Sequence, residues 1–199
     1  MSRRPAPLLV ALAAFLAASA PRRAAAQASA TPTASEAALL DAKSAAVVRT
    51  EYLADLDTVH VKILALANAI PADKYTWRPG EGVRSVSEVL MHVAGEWYVF
   101  TPMSVAGKPP ADFGPPRESL PKLEKTTAKA QVIAELETSW THCKAQLQAA
   151  DPAALTGRYK PWGASLPQAA FGMAGDLHEH LGQLIAYSRA VGVKPPWTK

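Results

Sequence analysis

Four long stretches of this chain carry apolar residues at helical spacing, and segments containing proline separate them. The spacing predicts helices near 45–70, 84–105, 127–150 and 167–191. The second of them opens at Ser85, and Glu88 follows three residues later, which is the pattern of a capping box. No pair of segments shows the alternation expected of paired strands. Amphipathic helices of this length predict an all-α four-helix bundle.

The connection between the second and third helices is long. Residues 106–126 include five prolines together with Gly107 and Gly114, a composition that predicts a crossover without helix. A connection of this length permits the second and third helices to run parallel. A second loop rich in proline and glycine is predicted over 151–167.

The N-terminus has the features of a secretory signal. Basic residues at Arg3 and Arg4 precede an apolar run over 8–20, and small residues at 24–26 suit a signal peptidase. The pattern predicts a signal peptide over 1–26, a flexible leader over 27–44 and a folded domain over 45–199. The protein is therefore expected to be exported, to the periplasm or out of the cell, with a retained N-terminal anchor as the alternative.

The net charge excludes some classes of partner. The full chain carries +4 at pH 7, but four of its 21 basic residues lie in the predicted signal peptide, which leaves 17 basic against 17 acidic residues. A mature chain near neutrality has no electrostatic footprint for nucleic acid or for an anionic membrane. Cys143 is the single cysteine and lies on the apolar stripe of the third helix, so we expect it to be buried without a disulfide.

The fourth helix contains a histidine that faces inward. On an ideal helix, Leu184 and Val191 lie within about 40° of His180, and Asp176 converges with His180 from one turn earlier. His178 lies about 160° away and should face water. An inward histidine beside a carboxylate has two explanations, a hydrogen-bonded pair in the core or a metal site.

Other helices also place polar groups toward the interior. His60 lies on the inner face of the first helix, His92 lies at the edge of the stripe of the second, and Glu96 lies between His92 and the apolar side. Metal sites in bundles are built from inward side chains on facing helices. Two histidines and a carboxylate would suit a divalent ion such as zinc, nickel, iron or manganese.

Two stretches resemble DinB-like proteins, the DinB/YfiT family. The first runs from Trp77 to His92 and contains Ser-Val-Ser-Glu-Val followed by the histidine, and the second runs from Leu177 to Tyr187 and contains His-Leu-Gly-Gln-Leu. The resemblance implies an up-down-down-up bundle, often a dimer. It also implies a divalent metal held by one histidine of the second helix and two histidines four residues apart on the fourth. His92 and His180 match two of these ligands, and Asp176 stands at the place of the third.

The candidate functions follow from this set. The first is a metal-dependent hydrolase or transferase acting on a small molecule, with metal ligands His92, Asp176 and His180 and with Glu96 or His60 as general base. The second is a non-catalytic bundle that binds a metal or a small ligand. The third is a bundle that has lost its metal. The sequence contains no phosphate-binding loop or nucleotide fingerprint that would support another chemistry.

Overall fold

The computed structural model describes residues 40–152, 155 and 166–198. These residues are all-helical and contain no strand, which confirms the predicted all-α class for the described part of the chain. In chain order the helices are α1 (Ala42–Ala69), α2 (Val86–Gly95), α3 (Thr101–Met103), α4 (Pro116–Leu123), α5 (Lys129–Ala149) and α6 (Leu166–Ala190). The predicted signal peptide over 1–26 and most of the predicted leader over 27–44 lie outside the described residues.

The helix boundaries follow local capping chemistry. Helix α1 begins three residues before the predicted start at Ala45, because the Asp41 side chain accepts a hydrogen bond of 2.7 Å from the Ser44 amide. Helix α2 begins with the predicted capping box, in which Ser85 accepts from the Glu88 amide and Glu88 accepts from the Ser85 amide. This box fixes the start of α2 and therefore the direction in which His92 points, two turns later.

The long helices pack against one another around a common core. Helix α1 packs against α5 and α6, and α2 packs against the same two helices. Their inner faces form one hydrophobic core, which includes Cys143 as a free, fully buried thiol. Burial raises the pKa of the Cys143 thiol, as expected of a cysteine that serves as a small apolar residue. None of the described helices combines the length and apolarity that a membrane crossing requires.

Helix α2 does not continue as a regular α-helix to residue 105. A π-helical turn spans Glu96–Phe100, and α3 follows it directly. Pro102 gives a physical reason, because it has no amide hydrogen and its ring would clash with the carbonyl of Tyr98 in a regular α-helix. Such turns often occur at functional sites, and this one begins with the buried carboxylate Glu96.

The prediction of a crossover without helix over 106–126 is wrong. The segment contains α4, whose first residue, Pro116, has its fixed φ suited to the first turn of a helix and has no amide that needs a partner there. Helix α4 packs on α2. At Gly95 an added Cβ would lie 2.6 Å from Cδ2 of Leu120, so the glycine permits a close approach of the two helices. The crossover therefore forms part of the surroundings of α2.

Candidate metal centre

Three side chains from two helices converge on one point. Glu96 Oε1 lies 3.3 Å from His92 Nε2 and 3.5 Å from His180 Nε2. The two imidazole rings meet edge to face, with centroids 4.9 Å apart. One potential ligand atom from each of the three residues lies within 4.8 Å of the other two. The rings of His92 and His180 therefore lie side by side, as expected from their inward positions on the two helices.

Glu96 is the main charge of the cluster, and it is only 2% exposed. Burial by itself would raise the pKa of this carboxyl, but hydrogen bonds from His180 and His92 outweigh burial and lower its pKa to about 2. The Glu96 carboxylate in turn raises the pKa of both histidines. The centre therefore holds a buried carboxylate between two imidazole rings, and these are side chains that bind zinc in proteins.

The second nitrogen of each ring also has a partner. His92 Nδ1 lies 2.8 Å from Oε1 of Glu124, the residue that ends α4. His180 Nδ1 lies 3.2 Å from Oε1 of Gln183, one turn further along α6. Both Nδ1 atoms thus face an oxygen outside the cluster, and both Nε2 atoms face Glu96. In metal-binding histidines, a partner at the outer nitrogen fixes the tautomer and the ring orientation.

The sequence model of the DinB superfamily matches residues 55–184, which is more than half of the 199-residue chain. The chain belongs to the DinB superfamily. No curated protein and no solved structure matches it. The matched region contains both histidines of the cluster and the glutamate between them.

Asp176 stands where the DinB resemblance implies a third histidine, and the structure places it at the edge of the cluster. Its Oδ1 lies 3.9 Å from His180 Nε2, and its side chain is 47% exposed. Burial and the neighbouring Glu96 carboxylate raise the pKa of Asp176 to about 6. The three ligand atoms that converge belong to His92, Glu96 and His180, so the role of Asp176 as a ligand stays a prediction. His178, which was expected to face water, is 47% exposed and pairs with Asp55 at 3.0 Å.

His60 lies against aromatic side chains. Its ring stacks on Trp140 with centroids 4.8 Å apart and meets Trp97 edge-on at 5.5 Å. Its Nε2 atom is buried and has no hydrogen-bond partner among the described residues. Burial lowers the pKa of His60 to about 4, so the ring is neutral near pH 7. These contacts do not bring His60 to the cluster, and the general-base role given to it above stays a prediction.

The depressed pKa of His60 predicts an acid-sensitive stability. The pKa of about 4 in the folded protein lies below the ordinary histidine pKa of 6.5, so the unfolded chain binds the proton more tightly. The stabilisation is full above pH 6.5 and is lost as the pH falls through about 4. After allowance for partial exposure, the loss is on the order of 2 kcal/mol. Urea unfolding of wild type and of His60→Phe between these pH values should show a steeper decline for wild type, and parallel curves would contradict the assignment.

Sequence reasoning missed the residues behind the two histidines. Gln183 and Tyr187 lie three and seven residues after His180, so helical spacing could have indicated that they share its side of α6. Glu124 had no such signal, because it lies 32 residues from His92 in a segment predicted to be non-helical.

Proposed function

We propose that this DinB-superfamily protein holds a divalent metal ion between α2 and α6, and that the ion supports hydrolysis or group transfer on a small molecule. One observation carries the proposal, the convergence of ligand atoms from His92, Glu96 and His180 within 4.8 Å. Two ligands at about 2.1 Å from one zinc ion lie at most about 4.2 Å apart. The cluster therefore needs only a small contraction to bind an ion.

The donor set limits the identity of the ion. Two imidazole nitrogens and one carboxylate oxygen suit zinc, iron, nickel or manganese, and three protein ligands leave positions for water or substrate. The low pKa of Glu96 and its place between two imidazoles suit a ligand better than the general base predicted from sequence. Asp176, a ligand in the prediction from sequence, stays in the proposed ligand set because its Oδ1 lies 3.9 Å from His180 Nε2.

The chemistry divides between the ion and the chain. A bound divalent ion supplies Lewis-acid activation of a water or a thiol. The side chain of Asp176 is 47% exposed beside the cluster, where its carboxylate would be placed to accept a proton from a water or thiol held by the ion. Glu96 and the two histidines hold the site together. A binding module without catalysis, the second function considered, would use the same ligands.

Metal analysis of the full chain tests the proposal. The protein should be purified without a chelator and without a polyhistidine tag, and its metal content measured per chain. Protein freed of metal should then take up one equivalent of zinc, iron(II), nickel or manganese. Metal content near zero together with no uptake in such titrations would overturn the proposal. Stoichiometric binding without turnover of any esters, amides or thiol acceptors tried would favour the binding module.

Asp176 offers a separate prediction. We expect Asp176→His to preserve or tighten metal binding, because it supplies a third imidazole at the position that the family resemblance gives to histidine. We expect Asp176→Asn to weaken binding less than a substitution of Glu96, which is buried at the centre of the cluster. Parallel zinc titrations of the two Asp176 variants and of Glu96→Gln measure both effects. A loss of binding in Asp176→His would show that the position cannot accept an imidazole.

We also propose three features of the whole protein that accompany this function. The long helices would be arranged up-down-down-up, with α4 inside the crossover, and two chains would form a dimer. The chain would be exported, to the periplasm or out of the cell, after cleavage before Gln27. Mass spectrometry of protein from the native host should find Gln27 or a neighbouring residue at the N-terminus, whereas intact Met1 or Ser2 would contradict export.

A further inference from the structure

The surroundings of the two histidines form a continuous set of contacts. On one side, Glu124 contacts His92 Nδ1 at 2.8 Å and the guanidinium of Arg84 at 3.5 Å. On the other side, Gln183 contacts His180 Nδ1 at 3.2 Å. The Gln183 amide donates a hydrogen bond of 2.9 Å to the Tyr187 hydroxyl. The Tyr187 hydroxyl donates one of 3.1 Å to the main-chain oxygen of Arg84.

We propose that Glu124, Gln183 and Tyr187 are positioning residues that hold the Nδ1 atoms of His92 and His180. Glu124 forms one arm of this arrangement, and Gln183 with Tyr187 forms the other. Both arms meet at Arg84. The proposal rests on the proposed function, because it concerns how the two histidines are prepared to bind an ion. The orientation of the two rings is not fixed by the ligand set alone.

The chemistry of the arms determines which nitrogen remains available. A carboxylate such as Glu124 only accepts hydrogen bonds, so the Nδ1 of His92 must carry the hydrogen. The Gln183 amide nitrogen is committed to Tyr187, so its oxygen faces His180 and accepts from Nδ1 in the same way. With both Nδ1 atoms donating outward, the Nε2 atoms are the ones that face Glu96, and an ion would bind there in place of any hydrogen that Nε2 donates to the carboxylate.

The fold makes the two arms depend on each other. Arg84 immediately precedes the Ser85 cap of α2, so its main-chain oxygen has a fixed position relative to His92. The same residue reaches Glu124 with its side chain and anchors Tyr187 of α6 with its main chain. The turn before α2, the end of α4 and helix α6 are thereby joined around the site. The close approach of α4 to α2 at Gly95 brings Glu124 within reach of His92.

Substitutions of Glu124 give the sharpest test. Glu124→Ala should weaken zinc binding about 10- to 100-fold, the range usual for loss of a group that orients a metal-binding histidine. Glu124→Gln should restore much of the affinity, because its amide oxygen still accepts from Nδ1. Glu118→Gln is the matched control, because Glu118 is exposed on the same helix and should leave affinity unchanged. Tyr187→Phe should weaken binding through the other arm.

A measurement without metal separates this inference from the proposed function. In nitrogen-15 NMR spectra of metal-free protein, the Nδ1 hydrogen of His92 should give a resonance protected from exchange with water. Glu124→Ala should abolish that protection at His92 and leave the His180 resonance in place, whereas Tyr187→Phe should act on His180. If wild type binds zinc and Glu124→Ala changes neither the zinc affinity nor the resonances, the positioning roles are wrong while the proposed function stands. Absence of zinc binding in wild type would instead overturn the proposed function, while the resonances would still decide the positioning roles.

Discussion

Replacing His180 with alanine is expected to weaken zinc binding by more than about 100-fold, beyond the range usual for residues that only orient a ligand. The substitution removes a nitrogen donor that faces the buried Glu96 at 3.5 Å, so the ion loses a direct bond. The His180 side chain is 13% exposed, so circular dichroism of the variant checks that it is folded before its affinity is measured. Competition titration against a chromogenic chelator measures the affinity of both proteins.

His178→Ala is the matched control for this prediction. It removes a histidine from the same helix, two residues away, whose side chain is 47% exposed and paired with Asp55. Its zinc affinity should stay within about twofold of wild type, since an exposed ion pair of this kind contributes little even to stability. Equal losses in His178→Ala and His180→Ala would mean that zinc binds at the protein surface and not between α2 and α6.

Replacing Trp97 with alanine is expected to lower the free energy of unfolding by about 3–5 kcal/mol. Trp97 is fully buried, and its ring contacts both His60 and Trp140 with centroids 5.5 and 5.4 Å away. Trp97→Phe should cost much less, because it keeps most of the aromatic volume and removes an indole N–H that has no partner among the described residues. Urea unfolding curves of the metal-free proteins measure these differences.

A second tryptophan provides the comparison. Trp197 is 40% exposed, and the Lys62 ammonium nitrogen lies 5.9 Å from the centroid of its ring. Trp197→Ala should change the free energy of unfolding by about 0.5–1 kcal/mol, as expected for a partly exposed cation–π contact. If Trp97→Ala and Trp197→Ala destabilised the protein equally, Trp97 would not be at the centre of the core.

Most of the helical framework was predictable because it depends on local rules. The capping box at Ser85 and the stripe that buries Cys143 were both predicted from short-range spacing. Helix α4 departs from the prediction because clustered prolines favour a loop, although a proline at the first position of a helix loses no hydrogen bond. The π-helical turn at Glu96 was missed because the effect of Pro102 on the preceding turn depends on how the chain rearranges around it.

The sequence by itself determined which face of each helix is apolar, and therefore that His92 and His180 point inward and that Glu96 lies beside them. It could not determine the distances between helices, since periodicity describes one helix at a time. Only the tertiary structure placed Glu96 between His92 and His180, and His60 against Trp97 and Trp140. It also brought Glu124 to His92 across 32 residues of chain. The physical reason is that contacts between elements depend on packing and on the path of the crossover, which no local pattern encodes.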